Sequence, residues 1–244
     1  MSKPPQLTEA AAAEPLPPSP PNGDTVKPGN FAVAPLSPLE HGAVTPKTRL
    51  DQIRGVGCAL LYRNGYSGMT MREIANVLSI KAASLYYHYV NKQHILFEIM
   101  EATVSELLAG LREIAENGEE PEAQLDSAIR WHVRFHTEKR EEAFVSHSEL
   151  RSLEPDNLRT ILKLRREYDR LFDSILKRGL RKGVFRMEQP SVVRNCILTM
   201  CTATGQWFSP EGPLSAEDVA TEISRFVRAA LVKGDATALT TASG

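Results

Sequence analysis

Long apolar runs are missing from this 244-residue chain, and cysteine is scarce. No stretch of 18 apolar residues occurs, which excludes a membrane-spanning helix, so no membrane partner is expected. The start MSKPPQLTEA lacks the charged and then apolar layout of a secretory signal, and we therefore expect a cytoplasmic protein. The three cysteines are odd in number and show no CxxC spacing, so neither a disulfide framework nor a thiolate zinc site is expected.

Motifs of enzymes are missing as well. No GxSxG, Walker or GxGxxG sequence occurs, so we expect neither an enzyme nor a cofactor. A metal or hydrolytic site is the main alternative, since His132 and His136 lie four residues apart, with His147 nearby. The glutamate of an HExxH motif is absent between them, and the adjacent Arg134 disfavours a cation. We therefore expect three unrelated helical histidines and no bound metal.

Proline and charge are distributed unevenly. Eleven of the 16 prolines lie within residues 1–46, and a segment of this composition buries too little apolar surface to fold, so we expect a disordered tail over 1–45. Residues 47–94 carry seven basic and two acidic groups, a net charge of +5 in a chain whose total is -1. A polyanionic partner for that block is the natural inference.

Helical periodicity dominates the chain from Thr45 onward, and no strand pattern appears, which predicts an all-α fold. A first helix has Thr45 as its cap and stops at Asn64–Gly65. The second begins at Thr70, which has the capping-box spacing to Glu73. A third follows over KAASLYYH, and a long fourth starts at Lys92. Further helices are predicted at about 122–138, 141–153, 156–182, 190–206 and 215–232.

The second and third predicted helices have the layout of a helix-turn-helix, whose second helix enters the DNA major groove. Small or flexible residues lead this helix and permit close approach to base edges. Leu85 and Tyr89, four apart, should face inward, while Tyr86, Tyr87 and His88 point polar tips toward phosphates. Composition alone leaves a basic surface helix, with aromatics that only fill the core, as an equal alternative.

A family resemblance favours the first interpretation. Thr70 with Ile74–Ala75, the run Leu85–Tyr89 and Lys92 stand in register, preceded by NGYSGMT. Over residues 50–97 this pattern resembles the DNA-binding domain of the TetR family of transcriptional regulators, although Ser79 replaces a common turn glycine. The residues expected at DNA are Thr70, Lys81, Ala82, Ala83, Ser84, Tyr86, Tyr87, His88 and Lys92.

The resemblance implies a helix-turn-helix domain over 46–95, a helical ligand-binding and dimerisation domain over 96–233, and a flexible tail over 234–244. The last two helices would pair across a two-fold axis, so the partners are a second copy of the chain and a palindromic operator in double-stranded DNA. Apolar faces in these helices agree with this, although ordinary intrachain core explains them too. The predicted interface residues are Val193, Ile197, Met200, Ile223, Phe226 and Val227.

The seventh predicted helix carries cations at helical spacing: Arg159, Lys163, Arg166, Arg170, Lys177 and Arg181. A solvated face, partly neutralised by neighbouring acids, is the ordinary explanation. The stretch from Ser148 to Phe185 also resembles TetR regulators of fatty-acid, sterol and aromatic-acid catabolism, which implies an acyl-CoA effector. The residues expected to bind the ligand are Trp131, Phe135, Phe144, Arg166, Tyr168, Arg170, Phe172 and Trp207.

The sequence therefore predicts a transcriptional repressor that an effector releases from its operator. The long fourth helix is the expected mechanical link, because it runs from the DNA end toward the ligand-binding half. A helical adaptor that binds protein rather than DNA is the remaining alternative.

Overall fold

The computed structural model describes residues 48–232, and these residues form helices connected by short turns. The two predicted tails, 1–45 and 234–244, and the predicted helix start at Thr45 lie outside the described residues. The helices are α1 Arg49–Gly68, α2 Met71–Val77, α3 Ala82–His88, α4 Lys92–Glu116, α5 Pro121–Glu138, α6 Arg140–Ser148, α7 Pro155–Arg181, α8 Pro190–Trp207 and α9 Ala216–Leu231.

The all-α prediction is confirmed for the described residues. A short 3-10 helix, Leu150–Ser152, joins α6 to α7, and one isolated antiparallel bridge links Phe185 to Val232. None of the helices in this range combines the length and apolarity needed to cross a bilayer.

The start and the interruption of α1 have local causes. The Thr48 side chain accepts a hydrogen bond from the Asp51 N–H and caps the helix. At Gly65 the backbone adopts φ 66° and ψ 175°, which breaks the helical path before the last turn. The predicted stop at Asn64–Gly65 is therefore confirmed as a break, although helical turns resume as far as Gly68.

α2 begins with a complete capping box, and the turn to α3 follows it. Thr70 accepts from the Glu73 N–H, and the Glu73 carboxylate accepts from the Thr70 N–H at 2.9 Å. Ser79 then adopts φ 53°, the left-handed region in which a side chain is unfavourable. Lys81 precedes α3 with no side-chain capping bond. The predicted capping box is confirmed, and Ser79 occupies a position that glycine would fill without strain.

A first apolar core holds α1 to α4 together. Ile53, Ile74, Leu85 and Ile95 are inaccessible to solvent at its centre. α1 and α4 approach closely at Gly57, where an added Cβ would lie 2.8 Å from the Ile95 Cγ2. Three residues from the second half of the chain belong to the same core: Val145, Leu153 and Ile161. The helix-turn-helix therefore rests on α6 and on the start of α7 as well as on α4.

A second apolar core lies among α4, α5, α7, α8 and α9. Phe172, Ile175 and Leu176 are its fully buried contributions from α7. The Arg130 side chain on α5 donates to the Thr221 hydroxyl on α9 at 2.9 Å, and Ser224 on α9 bonds to Asp126 on α5. Between the two cores, α4 to α8 surround the cavity described below.

Candidate DNA interface and effector cavity

The first turn of α3 is exposed to solvent, whereas its inner face is completely buried. Lys81, Ala82, Ala83 and Ser84 are all exposed. Leu85 is fully buried, in agreement with its predicted inward direction. This end of the helix therefore presents small side chains and one lysine that no other group covers, as a close approach to base edges requires.

The aromatic residues of α3 divide as their helical positions predict. Tyr86 is 53% exposed and Tyr87 is 86% exposed, while Tyr89 is fully buried. The Tyr89 hydroxyl donates to the Glu98 carboxylate at 2.5 Å, which ties the end of α3 to α4. The half-buried His88 packs edge-on against Tyr87, with ring centroids 5.1 Å apart. Two tyrosines and one histidine are thus available at the surface for phosphate contacts.

Lys92 has a contact that the sequence did not predict. Its ammonium group donates to the carbonyls of Tyr66 at 2.8 Å and Met69 at 3.2 Å, at the end of α1. The same nitrogen lies 4.3 Å from the Tyr66 ring centroid. Lys92 therefore holds the break in α1 against the start of α4. The predicted phosphate contact of Lys92 stays a prediction, as does that of Thr70, whose side chain serves the capping box.

A cavity of about 210 Å³ lies inside the second half of the chain, with wall residues from five helices, α4 to α8. Its apolar wall residues are Val104, Leu107, Phe135, Ala143 and Leu198. Its polar wall residues are Thr103, His132, His136, Ser146, His147, Arg165, Tyr168, Asp169 and Thr202. Apolar and hydrogen-bonding groups around one concave space are typical of a small-molecule site.

The three histidines that the sequence analysis treats as unrelated are neighbours on this wall. The rings of His132 and His136 stack with centroids 4.3 Å apart, and His147 lies 5.9 Å from His136. The expectation of independent histidines was therefore wrong, because the turn from α5 to α6 folds His147 back over the pair. Within residues 48–232, however, no group of three His, Cys, Asp or Glu side chains has the geometry to hold a metal ion.

Hydrogen bonds fix the orientation of the two stacked rings. His132 lies 2.8 Å from the Tyr168 hydroxyl through Nδ1 and 2.9 Å from the Thr202 hydroxyl through Nε2. The Nδ1 of His136 donates to the His132 carbonyl at 2.9 Å, which leaves its Nε2 as an acceptor. Burial lowers the pKa of both rings below the ordinary value of 6.5 and raises that of the Tyr168 phenol, so all three groups are neutral at pH 7.

Ser146 and Arg165 have hydrogen-bond donors left over at one corner of the wall. Ser146 is 3% exposed, and its hydroxyl has no hydrogen-bond partner among the described residues. The half-buried Arg165 donates one bond, from its guanidinium to the Ser146 carbonyl at 2.6 Å. Because a guanidinium has five N–H donors, most of its capacity is unused. This corner of the cavity therefore offers hydrogen-bond donors to a ligand that supplies acceptor atoms.

Of the residues predicted to bind the ligand, Phe135 and Tyr168 line the cavity. Phe172 is fully buried in the second core, and the Trp131 indole donates to the Leu107 carbonyl at 3.0 Å. Phe144 and Trp207 are 44% and 59% exposed, and Phe144 packs on α1 instead. Arg166 and Arg170 are exposed on α7, while Arg165, one residue away, reaches the cavity.

The predicted dimer residues fall into two groups. Phe226 is 66% exposed, and Val193, Met200 and Ile223 are half-buried. Ile197 and Val227 are 3% exposed in the single chain, so they serve the intrachain core and offer no free surface. Three further side chains on α8 are exposed: Val192, Cys196 and Trp207.

The structure combines a helix-turn-helix, whose second helix α3 is exposed, with a helical half that contains a cavity. This combination defines a ligand-responsive DNA-binding regulator. Two family models match the chain: "Bacterial regulatory proteins, tetR family" over residues 53–99, and "Tetracyclin repressor-like, C-terminal domain" over residues 118–231. The chain belongs to the TetR family of bacterial transcriptional regulators.

Relatives and solved structures agree with this assignment. The HTH-type transcriptional repressor KstR2 of Mycobacterium tuberculosis (strain ATCC 25618 / H37Rv) is 21% identical over 197 residues, which cover 80% of this chain and 98% of KstR2. PfmR, a TetR family regulator from Thermus thermophilus, superposes with a TM-score of 0.68 at 27% identity, over 74% of this chain and 99% of PfmR. AibR, solved with isovaleryl coenzyme A and operator DNA, has a TM-score of 0.68 at 23% identity, over 73% of this chain and 97% of AibR.

Proposed function

We propose that the protein is a homodimeric transcriptional repressor that binds a roughly palindromic operator and is released when an acyl-CoA thioester enters the cavity. The observation that carries the DNA-binding part is the exposed first turn of α3 above the fully buried Leu85 and Tyr89. A surface helix with this rigid support and these small leading residues fits the major groove.

At the operator, α3 would place Lys81 and Ser84 at base edges and the methyl groups of Ala82 and Ala83 near thymine methyls. The hydroxyls of Tyr86 and Tyr87 and the His88 ring would contact phosphates on either side. The net charge of +5 over residues 47–94 supplies the attraction, because each neutralised phosphate releases condensed cations.

The second copy of the chain would pair through α8 and α9. Val192 and Trp207 on α8 and Phe226 on α9 are large apolar side chains that are all more than half exposed. Burying them against the same surface of a partner forms a two-fold contact. Two recognition helices then face one side of the DNA about one turn, ~34–36 Å, apart.

The acyl-CoA part of the proposal depends on the cavity and on the AibR likeness. A cavity of about 210 Å³ is smaller than the roughly 300–1,000 Å³ of sites that enclose drug-sized ligands. An acyl group would fit inside, and the nucleotide would remain outside. The exposed Arg166 and Arg170 on α7 are the cations we assign to its phosphates.

Three helices connect the cavity to the DNA-binding half: α4, α6 and α7, of which α7 has Ile161 in the first core and Arg165 on the wall. α4 contributes Thr103, Val104 and Leu107 to the wall and begins at Lys92, so the domain boundary that we place near residue 95 lies inside one continuous helix. α6 contributes Ala143, Ser146 and His147 to the wall. An effector that binds one arrangement of these helices more tightly would shift the population toward it and change the spacing of the recognition helices.

The test is operator selection followed by effector titration. Binding selection on random duplex DNA should yield a palindrome, and fluorescence anisotropy should then show release by at least one acyl-CoA and not by coenzyme A alone. Release by no thioester from acetyl to decanoyl would remove the effector assignment. Failure to select any sequence would remove the DNA-binding assignment itself.

A further inference from the structure

We propose that the Arg165–Ser146 corner of the cavity binds the acyl carbonyl oxygen of the effector. The proposal rests on the proposed function for its setting, because it identifies which atoms of an acyl compound this cavity recognises. The shared chemistry is an oxygen on a carbonyl carbon, supplied either by a thioester or by a free carboxylate.

The buried hydroxyl of Ser146 is the first observation behind this proposal. Its side chain lies on α6 among wall residues, it is 3% exposed, and its hydroxyl has no partner in the described part of the chain. A buried hydroxyl without a partner costs free energy, so a native chain rarely keeps one without a use. A ligand oxygen that accepts the Ser146 O–H would remove this cost.

The unused hydrogen-bond donors of the Arg165 guanidinium are the second observation. It lies on α7 across the corner and donates to the Ser146 carbonyl at 2.6 Å, its one hydrogen bond within residues 48–232. This bond fixes the guanidinium beside the Ser146 side chain, with its remaining N–H groups available. A carbonyl or carboxylate oxygen would accept from both residues, and hydrogen bonds from a charged donor are the stronger kind.

The acidic residue nearby does not cancel the Arg165 charge. Asp169 lies 3.7 Å from Arg194, and Arg194 also pairs with Asp173 at 2.9 Å. Lys177 lies 3.7 Å from Asp173 on the other side. The group as a whole contains three cations and two carboxylates, so one positive charge is left for the ligand.

The rest of the wall fixes the direction of the ligand. Val104, Leu107 and Phe135 form an apolar wall for a hydrocarbon chain. Both ring nitrogens of His132 are hydrogen-bonded to hydroxyl groups of the protein, so this ring needs no hydrogen bond from the ligand. His147 is exposed, and Asp169 and Thr202 are half-buried, so these residues lie where the cavity meets solvent and where a thioester would leave it.

The experiment compares acyl compounds with analogues that lack the carbonyl oxygen. Isothermal titration of the full-length wild-type chain would use hexanoyl-CoA, the thioether S-hexyl-CoA and free hexanoate, with butanoyl and decanoyl series beside them. We expect hexanoyl-CoA, or the best chain length, to bind roughly tenfold or more tightly than its thioether. Binding of the free acid alone would support the carbonyl-oxygen site and remove the acyl-CoA effector of the proposed function.

Equal binding of thioester and thioether would overturn the site and leave an acyl-CoA effector standing. Binding of no compound in any series would overturn both. Two variants sharpen the result: Arg165→Met and Ser146→Ala should each reduce the thioester preference while thioether binding stays the same. Arg181→Met and Ser148→Ala, exposed positions on the same two helices, are the matched controls. If a variant does not fold, the wild-type comparison still decides.

Discussion

Phe144 on α6 packs edge-on against Tyr62 on α1, with ring centroids 5.0 Å apart. The residues beside Phe144 on the same helix, Ala143 and Ser146, line the cavity. One short helix therefore touches the ligand space on one face and the DNA-binding core on the other, and α4 is not the sole link between them. Phe144, which was predicted to bind the ligand, lies at this contact and not among the wall residues.

Removing that contact should weaken communication without weakening effector binding. We expect Phe144→Ala to raise the effector concentration for half-release from the operator by about threefold to tenfold, since coupling residues contribute ~0.5–2 kcal/mol. The effector Kd measured without DNA should stay within about twofold, because the ring lies outside the cavity wall. Anisotropy and calorimetry check the two quantities. A parallel change in both would contradict the role of α6.

Substitutions of Lys92 and Lys81 should differ in their effect on stability, although both should weaken DNA binding. Lys92→Met removes the bonds to the Tyr66 and Met69 carbonyls and should lower the free energy of unfolding by about 1–2 kcal/mol, measured by urea denaturation. It should also weaken DNA binding. Lys81→Met removes an exposed lysine whose side chain makes no capping bond to α3, so it should weaken DNA binding alone. Equal stability of the two variants would show that the Lys92 contact contributes nothing.

Ser79→Gly should stabilise the protein. The φ of 53° at Ser79 is unfavourable for a residue with a Cβ and normal for glycine, so we expect a gain of about 0.5–1 kcal/mol. The control is Asn76→Gly, an exposed position inside α2, where glycine should instead cost about 0.3 kcal/mol. Chemical denaturation measures both. A loss of stability in Ser79→Gly would mean that the Ser79 side chain has another role.

Acid should destabilise the fold through the stacked histidines. Burial lowers the pKa of His132 and His136 below 6.5 in the folded chain, whereas unfolded rings protonate near 6.5. The unfolded chain then binds more protons, so stability falls as pH drops from about 7 to 5, by at most ~1.4 kcal/mol per pH unit for each ring. His136→Gln should flatten this slope, while His94→Gln at an exposed site should not. Identical slopes in all three proteins would refute the assignment.

Local features were predictable from sequence because their causes are local. The capping box depends only on Thr70 and Glu73 being three residues apart. The burial of Leu85 and Tyr89 depends only on their being four residues apart, about one helical turn. The break at Gly65 likewise follows from an Asn-Gly pair. For these features the positions were correct without knowledge of the tertiary packing.

The residues of the cavity wall were less predictable, since they depend on which helix faces meet. Helical geometry from Tyr168 points to Arg165, three residues earlier, rather than to Arg166 or Arg170, which lie on other sides of the helix. His147 lies beside His136 because of the turn between α5 and α6. Helical periodicity alone does not predict the direction of that turn. The orphaned Ser146 hydroxyl has no sequence signal at all.

The salt dependence and sequence dependence of DNA binding by α3 variants test the DNA-binding role most directly. On the selected operator, wild-type affinity should fall steeply with rising salt, and Lys81→Glu should remove specific binding. Lys163→Glu, an exposed position on α7, should leave that binding intact. If Lys81→Glu binds the operator as tightly as the wild type, or if affinity is the same at low and high salt, α3 does not enter the groove.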